Sequence, residues 1–111
     1  MILRIWHGWA PTGARADAYE ELLNTEIAPG ILRRGIPGLL DLSVLRRNES
    51  TVSEPDGLTE FATVMTFADW AAVRAFAGED LTGSVVPPAA RALLTRFDEH
   101  SQHYELRHRH T

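Results

Sequence analysis

The stretch Leu58–Phe67, LTEFATVMTF, constrains the fold of this chain more than any other segment. Successive side chains of a β-strand point to opposite faces of the sheet, so odd and even positions belong to different faces. Both sets are apolar here: Phe61, Met65 and Phe67 on one face, Ala62 and Val64 on the other. A strand of this kind needs cover on both faces. Helices of the same chain can cover one face, and the other predicts contact with a partner.

The remaining patterns predict the order strand, helix, strand, strand, helix, strand. The predicted strands are Ile2–Trp9, Leu39–Arg47, Leu58–Phe67 and Ser101–Arg107. The first predicted helix is Ala14–Ile27, which Pro29-Gly30 ends. The second is capped by Asp69, and Trp70 belongs to its core-facing apolar residues. The third is short and follows Pro87-Pro88, with Leu94 and Phe97 among its core-facing apolar residues. The polar residues Asn48–Gly57 predict a hairpin loop. This order favours an α+β, ferredoxin-like βαββαβ subunit with an antiparallel four-stranded sheet.

The amino-acid composition of the chain argues against several classes of function. Apolar residues make up 44% of the 111 residues and charged residues 23%, which is typical of a globular protein. The net charge of −4 argues against nucleic acid as a partner. With no cysteine there are no disulfides and no thiolate chemistry. The absence of a long apolar run or a signal-peptide pattern predicts a cytoplasmic protein with no membrane partner.

Three segments, TFADWAAVRAFAGED, VVPPAARALLTRFDEH and HYEL, resemble an uncharacterised subgroup of the antibiotic biosynthesis monooxygenase superfamily, the dimeric α+β barrel proteins. The likeness covers nearly the whole chain. Residues 1–111 are predicted to form a single domain. It implies that two ferredoxin-like sheets pack face to face across a two-fold axis. It also implies a homodimer, which is the commonest way to cover an apolar face.

The relatives in this superfamily catalyse two kinds of reaction. Some relatives degrade haem with an asparagine on the first strand, a tryptophan at the end of the third and a histidine ligand on the following segment. This chain has no asparagine in the first strand, Phe67 at the end of the third, and no histidine between His7 and His100, so that reaction is not expected. Other relatives oxidise phenols without a metal or flavin, and the expected function is a small-molecule oxidoreductase of this type. No cofactor or metal is predicted; a non-catalytic ligand-binding or stress-associated dimer, and a haem-binding protein with His7 or His103 as axial ligand, stay as alternatives.

The candidate catalytic residues are His7, His103 and Tyr104. If Ile5 pairs with Glu105 across the first and last strands, the two histidines face each other and could form an acid/base pair, since imidazole titrates near neutral pH. A register shifted by one residue would place them on opposite faces. Tyr104 could orient a ligand through its hydroxyl group.

The candidate substrate-binding residues are Trp9, Phe67 and Arg4, in a pocket between the sheet and the helices. Trp9 and Phe67 would provide apolar walls for a small apolar or aromatic molecule. An arginine inside a strand is unusual, because a buried cation ordinarily needs a carboxylate partner. Glu105 and Glu60 are candidates for that partner, and a carboxylate or another anion of a substrate is the alternative.

Overall fold

The structure is a computed structural model that describes residues 1–47 and 57–111. Its strands are β1 Ile2–Pro11, β2 Leu39–Arg46, β3 Leu58–Phe67, β4 Arg96–Phe97 and β5 Gln102–Glu105. Its helices are α1 Ala14–Leu22, α2 Ala28–Arg33, α3 Trp70–Ala77 and α4 Pro88–Leu93, with a π-helical turn, Leu23–Ile27, joining α1 to α2. The predicted hairpin loop lies outside the described residues except for Gly57.

The strands form one antiparallel five-stranded sheet in the order β2-β3-β1-β4, with β5 also paired to β1. Because β3 occupies one edge of β1, β4 and β5 follow one another along its other edge, β4 at Gly8 and Trp9 and β5 at Ile2–Ile5. The α+β, ferredoxin-like prediction is therefore confirmed, and the two ends of the chain are neighbours. The prediction of four strands missed the short strand β4.

The helices cover only one side of the sheet, which we call the inner face. This face carries the even-numbered residues of β1 and their partners on β3, such as Ile2 opposite Phe67 and Gly8 opposite Phe61. Two buried clusters lie between it and the helices, one around Phe67, Val73 and Phe76 and one around Ala10, Tyr19 and Phe61. The opposite side, the outer face, is left to solvent in the single chain.

The first helical segment is longer than predicted. Pro29-Gly30 was expected to end it, but α2 continues through both residues to Arg33, so that prediction is wrong. A proline inside an α-helix removes an amide donor and clashes with the carbonyl group four residues earlier. Here the backbone widens just before it, and the amide of Ala28 bonds to the carbonyl of Leu23, five residues back. The π-helical turn thus places Pro29 near the start of α2, where proline is tolerated.

Helix α3 begins as predicted at Asp69, whose carboxylate accepts a hydrogen bond from the amide of Ala72 at 2.9 Å. Its buried residues are Ala72, Val73 and Phe76. The prediction that Trp70 lies in the core is wrong: Trp70 is 40% exposed. As the first residue of the helix it lies at the margin of the sheet, where its ring contacts that of His103.

The third helix is shorter than predicted, because Leu94 and Phe97 lie beyond its end. Helix α4 ends at Leu93, and Leu94 caps it in an extended conformation. Phe97 lies in β4 and pairs with Gly8 instead of continuing the helix.

No helix among the described residues is long and apolar enough to cross a membrane.

Gly38 provides a test of how β2 is fixed against α3. Its φ of +87° is unfavourable for other residues, and a Cβ atom there would lie 2.8 Å from the Cβ of Ala72. We expect Gly38→Ala to lower the free energy of unfolding by on the order of 2–4 kcal/mol through both effects. Gly35 has a φ of +63° but nothing within 4 Å of the added atom. Gly35→Ala should therefore cost only about 1–2 kcal/mol in urea unfolding, and equal losses in the two variants would contradict the packing argument.

Candidate functional site

A cavity of about 70 Å³ lies between the inner face and the helices. The cavity opens to solvent on one side, so a ligand bound in it can extend beyond this volume. The sheet contributes Arg4, Trp6, Leu42, Thr63 and Met65 to its lining. The helical side contributes Tyr19, Leu23, Ile27, Ile31, Phe76 and Ala90, among others. The wall is therefore mainly apolar, with a few polar groups at defined positions.

Arg4 is the charged residue of this lining. It lies near the start of β1 and is only 3% exposed. Its Nη1 group donates hydrogen bonds to the carbonyl of Leu81 and to Nε2 of His103, and its Nη2 group donates to the carbonyl of Gly83. Its guanidinium carbon also lies 5.3 Å from the centre of the Phe76 ring. Arg4 thus ties the loop that follows α3 to the sheet and forms one end of the cavity.

The charge of Arg4 is not balanced by a hydrogen-bonded carboxylate among the described residues. Neither Glu105 nor Glu60 fills that role, contrary to expectation. Glu105 pairs with Ile2 at the end of β1, and Glu60 lies on the outer face opposite Trp9. Burial lowers the pKa of Arg4, and the nearby charge of Asp80 opposes that shift only in part.

His103 lies on the inner face, directly opposite Arg4. Since a guanidinium group can only donate, Nε2 of His103 accepts the 3.0 Å hydrogen bond from Arg4. The neutral ring therefore carries its proton on Nδ1. Burial and the charge of Arg4 both lower the pKa of His103, so the neutral form that Arg4 requires is favoured. His103 holds the guanidinium in place from outside the cavity lining.

Tyr19 brings a hydroxyl group into the cavity from α1. Its ring is 1% exposed and packs edge-on against Phe61 at 5.0 Å. No described residue accepts a hydrogen bond from this hydroxyl, and burial raises the pKa of Tyr19 above its ordinary value of 10.0. The described residues therefore leave this hydroxyl a neutral donor that a molecule in the cavity can reach, because it is not among their fully buried unpaired polar atoms.

Trp6 closes the cavity beside Arg4. Its indole Nε1 donates to the hydroxyl of Ser84 at 2.9 Å and to the carbonyl of Asp98 at 2.8 Å. These bonds fix the indole in place and leave it no donor for a ligand. The loop is held further by the amide of Ser101, which donates to the carbonyl of Thr82 at 2.7 Å. The wall of the cavity is thus fastened to the sheet at several points.

The predicted pairing of His7 with His103 is wrong. Ile5 pairs with Gln102 and not with Glu105, a shift of three residues. An odd shift exchanges the faces, so His7 points to the outer face and His103 to the inner face. Nδ1 of His7 instead lies 2.7 Å from a carboxylate oxygen of Asp98. An acid/base pair of the two imidazoles is therefore not formed within one chain.

The other predicted site residues also lie away from the cavity. Tyr104 pairs with Leu3 on the outer face and is 56% exposed. Trp9 lies on the outer face as well, under the guanidinium of Arg96, whose carbon is 4.6 Å from the ring centre. Phe67 is on the inner face but is fully buried in the cluster with Val73 and does not line the cavity. Among the site residues predicted from the sequence, Arg4 lines the cavity and His103 is hydrogen-bonded to Arg4.

Sequence reasoning missed the polar groups that complete the cavity. Tyr19 is not among the predicted site residues, although a hydroxyl group close to Leu22 and Leu23 in the first helix is a signal that can single it out. Trp6, which lines the cavity, is not among the site residues predicted from the sequence. No group of three or more histidine, cysteine or acidic residues that could hold a metal ion occurs in the described parts of the chain.

The contact between Arg4 and His103 predicts a pH dependence of stability. The pKa of His103 in the folded protein lies below its ordinary value of 6.5. As the pH falls from about 6.5, the unfolded chain therefore takes up this proton first, and stability is lost as the pH falls through the folded-state pKa. We expect urea unfolding of His103→Gln, whose amide oxygen can still accept from Arg4, to show a smaller loss of stability below about pH 6.5. An identical pH profile in the two proteins would contradict this assignment.

Comparison with known proteins identifies the fold. No family model matches the chain, and no curated protein matches it in sequence. A solved structure of a candidate antibiotic biosynthesis monooxygenase from Bacillus cereus superimposes with a TM-score of 0.63, covering 99% of this chain and 96% of that one at 14% identity. An ethyl tert-butyl ether D (EthD) family protein from Bacillus halodurans gives a TM-score of 0.50 at 21% identity, covering 95% of this chain and 98% of that one. The chain therefore shares the ferredoxin-like α+β fold of these two structures.

Proposed function

We propose that this protein is a small-molecule enzyme that resembles the cofactor-independent antibiotic biosynthesis monooxygenases and acts in the cavity between the sheet and the helices. The observation that carries the proposal is a mainly apolar cavity lined by Tyr19, whose hydroxyl has no hydrogen-bond partner among the described residues. Apolar walls with a few oriented polar groups are typical of sites for small aromatic molecules. The likeness in fold to a candidate monooxygenase supports the same reading.

The residues of the chain would assist such a reaction by binding and orientation. Aliphatic side chains such as Leu23, Ile27 and Met65 would pack against the rings of the substrate and exclude water. The Tyr19 hydroxyl would donate to the substrate oxygen on which negative charge develops, an interaction that is strong where water is excluded. The described lining contains no carboxylate and no imidazole. The proposal therefore requires a substrate acidic enough to lose its proton to water.

The chemistry needs no further electron donor. An activated CH₂ group beside aromatic rings loses a proton, and the carbanion transfers electrons to O₂. One oxygen atom becomes the new carbonyl and the other leaves as water, so that R₂CH₂ and O₂ give R₂C=O and H₂O. The substrate supplies all the electrons, as in the relatives that this chain resembles.

Anthrone, whose CH₂ group is acidic for this reason, is a suitable probe. We expect the protein to accelerate oxygen uptake and anthraquinone formation from anthrone, and Tyr19→Phe to lower kcat/KM at least about tenfold, since a hydrogen bond to a charged group contributes about 1.5–3 kcal/mol. One ¹⁸O atom from ¹⁸O₂ should appear in the product. The measurement combines an oxygen electrode with mass spectrometry.

Tyr104→Phe is the matched comparison, because it removes the same hydroxyl from the outer face. A loss of activity in this variant, with Tyr19→Phe unaffected, would move the site to the outer face. Binding of anthrone without oxygen uptake would instead favour a non-catalytic ligand-binding protein.

The outer face supports a homodimer. It carries Leu3 and Ile5 on β1, Ala62 and Val64 on β3, and Leu45 on β2, which is 52% exposed. The resemblance implies that a second copy packs its sheet against this face. Burial of apolar area contributes about 25 cal/mol per Å², so an extended face of this kind favours association.

We expect Leu45→Lys to convert the dimer to a monomer, because it places a charge in the face that the second copy covers. Leu32 is similarly exposed, at 54%, but lies on α2, away from the sheet. Leu32→Lys should leave the dimer intact in analytical ultracentrifugation. A wild-type protein that sediments as a monomer at micromolar concentration would exclude the dimer.

A further inference from the structure

We propose that the substrate of this cavity carries a carboxylate group that binds to the guanidinium of Arg4. The inference rests on the proposed function and names the chemical class of the substrate. It follows from the charge of Arg4, from its unused donors and from the way in which the guanidinium is fixed.

The first observation is a buried charge that no described carboxylate contacts through a hydrogen bond. Arg4 is 3% exposed, and its hydrogen-bond partners are two backbone carbonyls and a neutral imidazole. Asp80 acts on it only through space, and its carboxylate accepts instead from the amide of Gly83 at 3.2 Å. Buried cations in proteins are ordinarily paired with an anion. The cavity beside Arg4 is where such an anion can enter.

The second observation is a pair of unused donors. A guanidinium group has five N–H bonds. Three of them are used, two on Nη1 and one on Nη2. The remaining two are on Nε and Nη2, and no described residue accepts from them. Donors on adjacent guanidinium nitrogens match the two oxygens of a carboxylate, which distinguishes it from a phenolate or an alcohol.

The third observation is that the guanidinium is fixed before any ligand arrives. The carbonyls of Leu81 and Gly83 and the ring of His103 hold it from one side, and the Phe76 ring lies against it at 5.3 Å. A fixed guanidinium loses little conformational entropy on binding. The carboxylate would bind at this end, and the rings of the substrate would extend along the apolar wall towards Tyr19.

The competing explanation is that Arg4 serves only to fasten the loop after α3 to the sheet. Two ligands of the same shape separate these explanations, namely 2-naphthoate and 2-naphthamide. By isothermal titration calorimetry at neutral pH, the wild-type protein should bind the naphthoate at least about tenfold more tightly, as expected for a charge-assisted pair of hydrogen bonds. Equal affinities would overturn the proposal.

Arg4→Gln should remove the preference for the acid over the amide. Arg34 is the matched control, because its guanidinium also lies against Phe76, at 5.1 Å, and donates to the backbone carbonyls of Ala75 and Phe76. It does not line the cavity. Arg34→Gln should therefore retain the preference, and loss of the preference in this variant alone would overturn the assignment to Arg4.

Because Arg4→Gln could fail to fold, a second measurement uses the wild-type protein. In ¹H–¹⁵N NMR spectra, 2-naphthoate should shift the Nε–H resonance of Arg4 more than 2-naphthamide does. An unshifted resonance in the presence of bound naphthoate would also overturn the proposal. Oxygen uptake with anthrone but no preference for the acid would refute this inference alone, whereas the preference without oxygen uptake would refute only the proposed reaction.

Discussion

The hydrogen bonds of Arg4 hold the site together. A buried cation near the start of β1 is energetically unfavourable, and hydrogen bonds to the carbonyls of Leu81 and Gly83 offset part of that cost. The same bonds fasten the loop after α3 to the sheet, and this loop leads into Val85 and Val86, which line the cavity. The cavity wall therefore depends on a charge to which no described carboxylate is hydrogen-bonded.

The two faces of the sheet carry side chains of different kinds. The inner face carries Arg4 and Trp6 from β1 and receives Tyr19 from α1, so it holds the candidate site. The outer face carries Leu45 and Val64, which a second copy can cover. Side chains alternate between the two sides of a strand, so neighbouring residues of β1 belong to different faces of the sheet.

Local sequence patterns predicted the bounds of an element correctly where a single local interaction determines them. The bounds of β3 were predicted as Leu58–Phe67 and observed unchanged, because β-branched and aromatic residues are bounded there by breakers. The Asp69 cap was found because a carboxylate at a helix start satisfies a free amide within a few residues. The end of the first helix was missed at Pro29, since the π-helical turn that accommodates this proline depends on hydrogen bonds that propensity does not encode.

The sequence by itself determined the order of the elements, the apolar character of both sides of β3, and the presence of an arginine on the buried face of β1. These properties follow from residue types and from periods of two and 3.6 residues. Only the tertiary structure decided that Ile5 pairs with Gln102, which separates His7 from His103 and places His103 against Arg4. Register depends on the loop path and on packing across the whole sheet, and a shift by an odd number of residues leaves the local pattern unchanged while exchanging every side chain between the two faces.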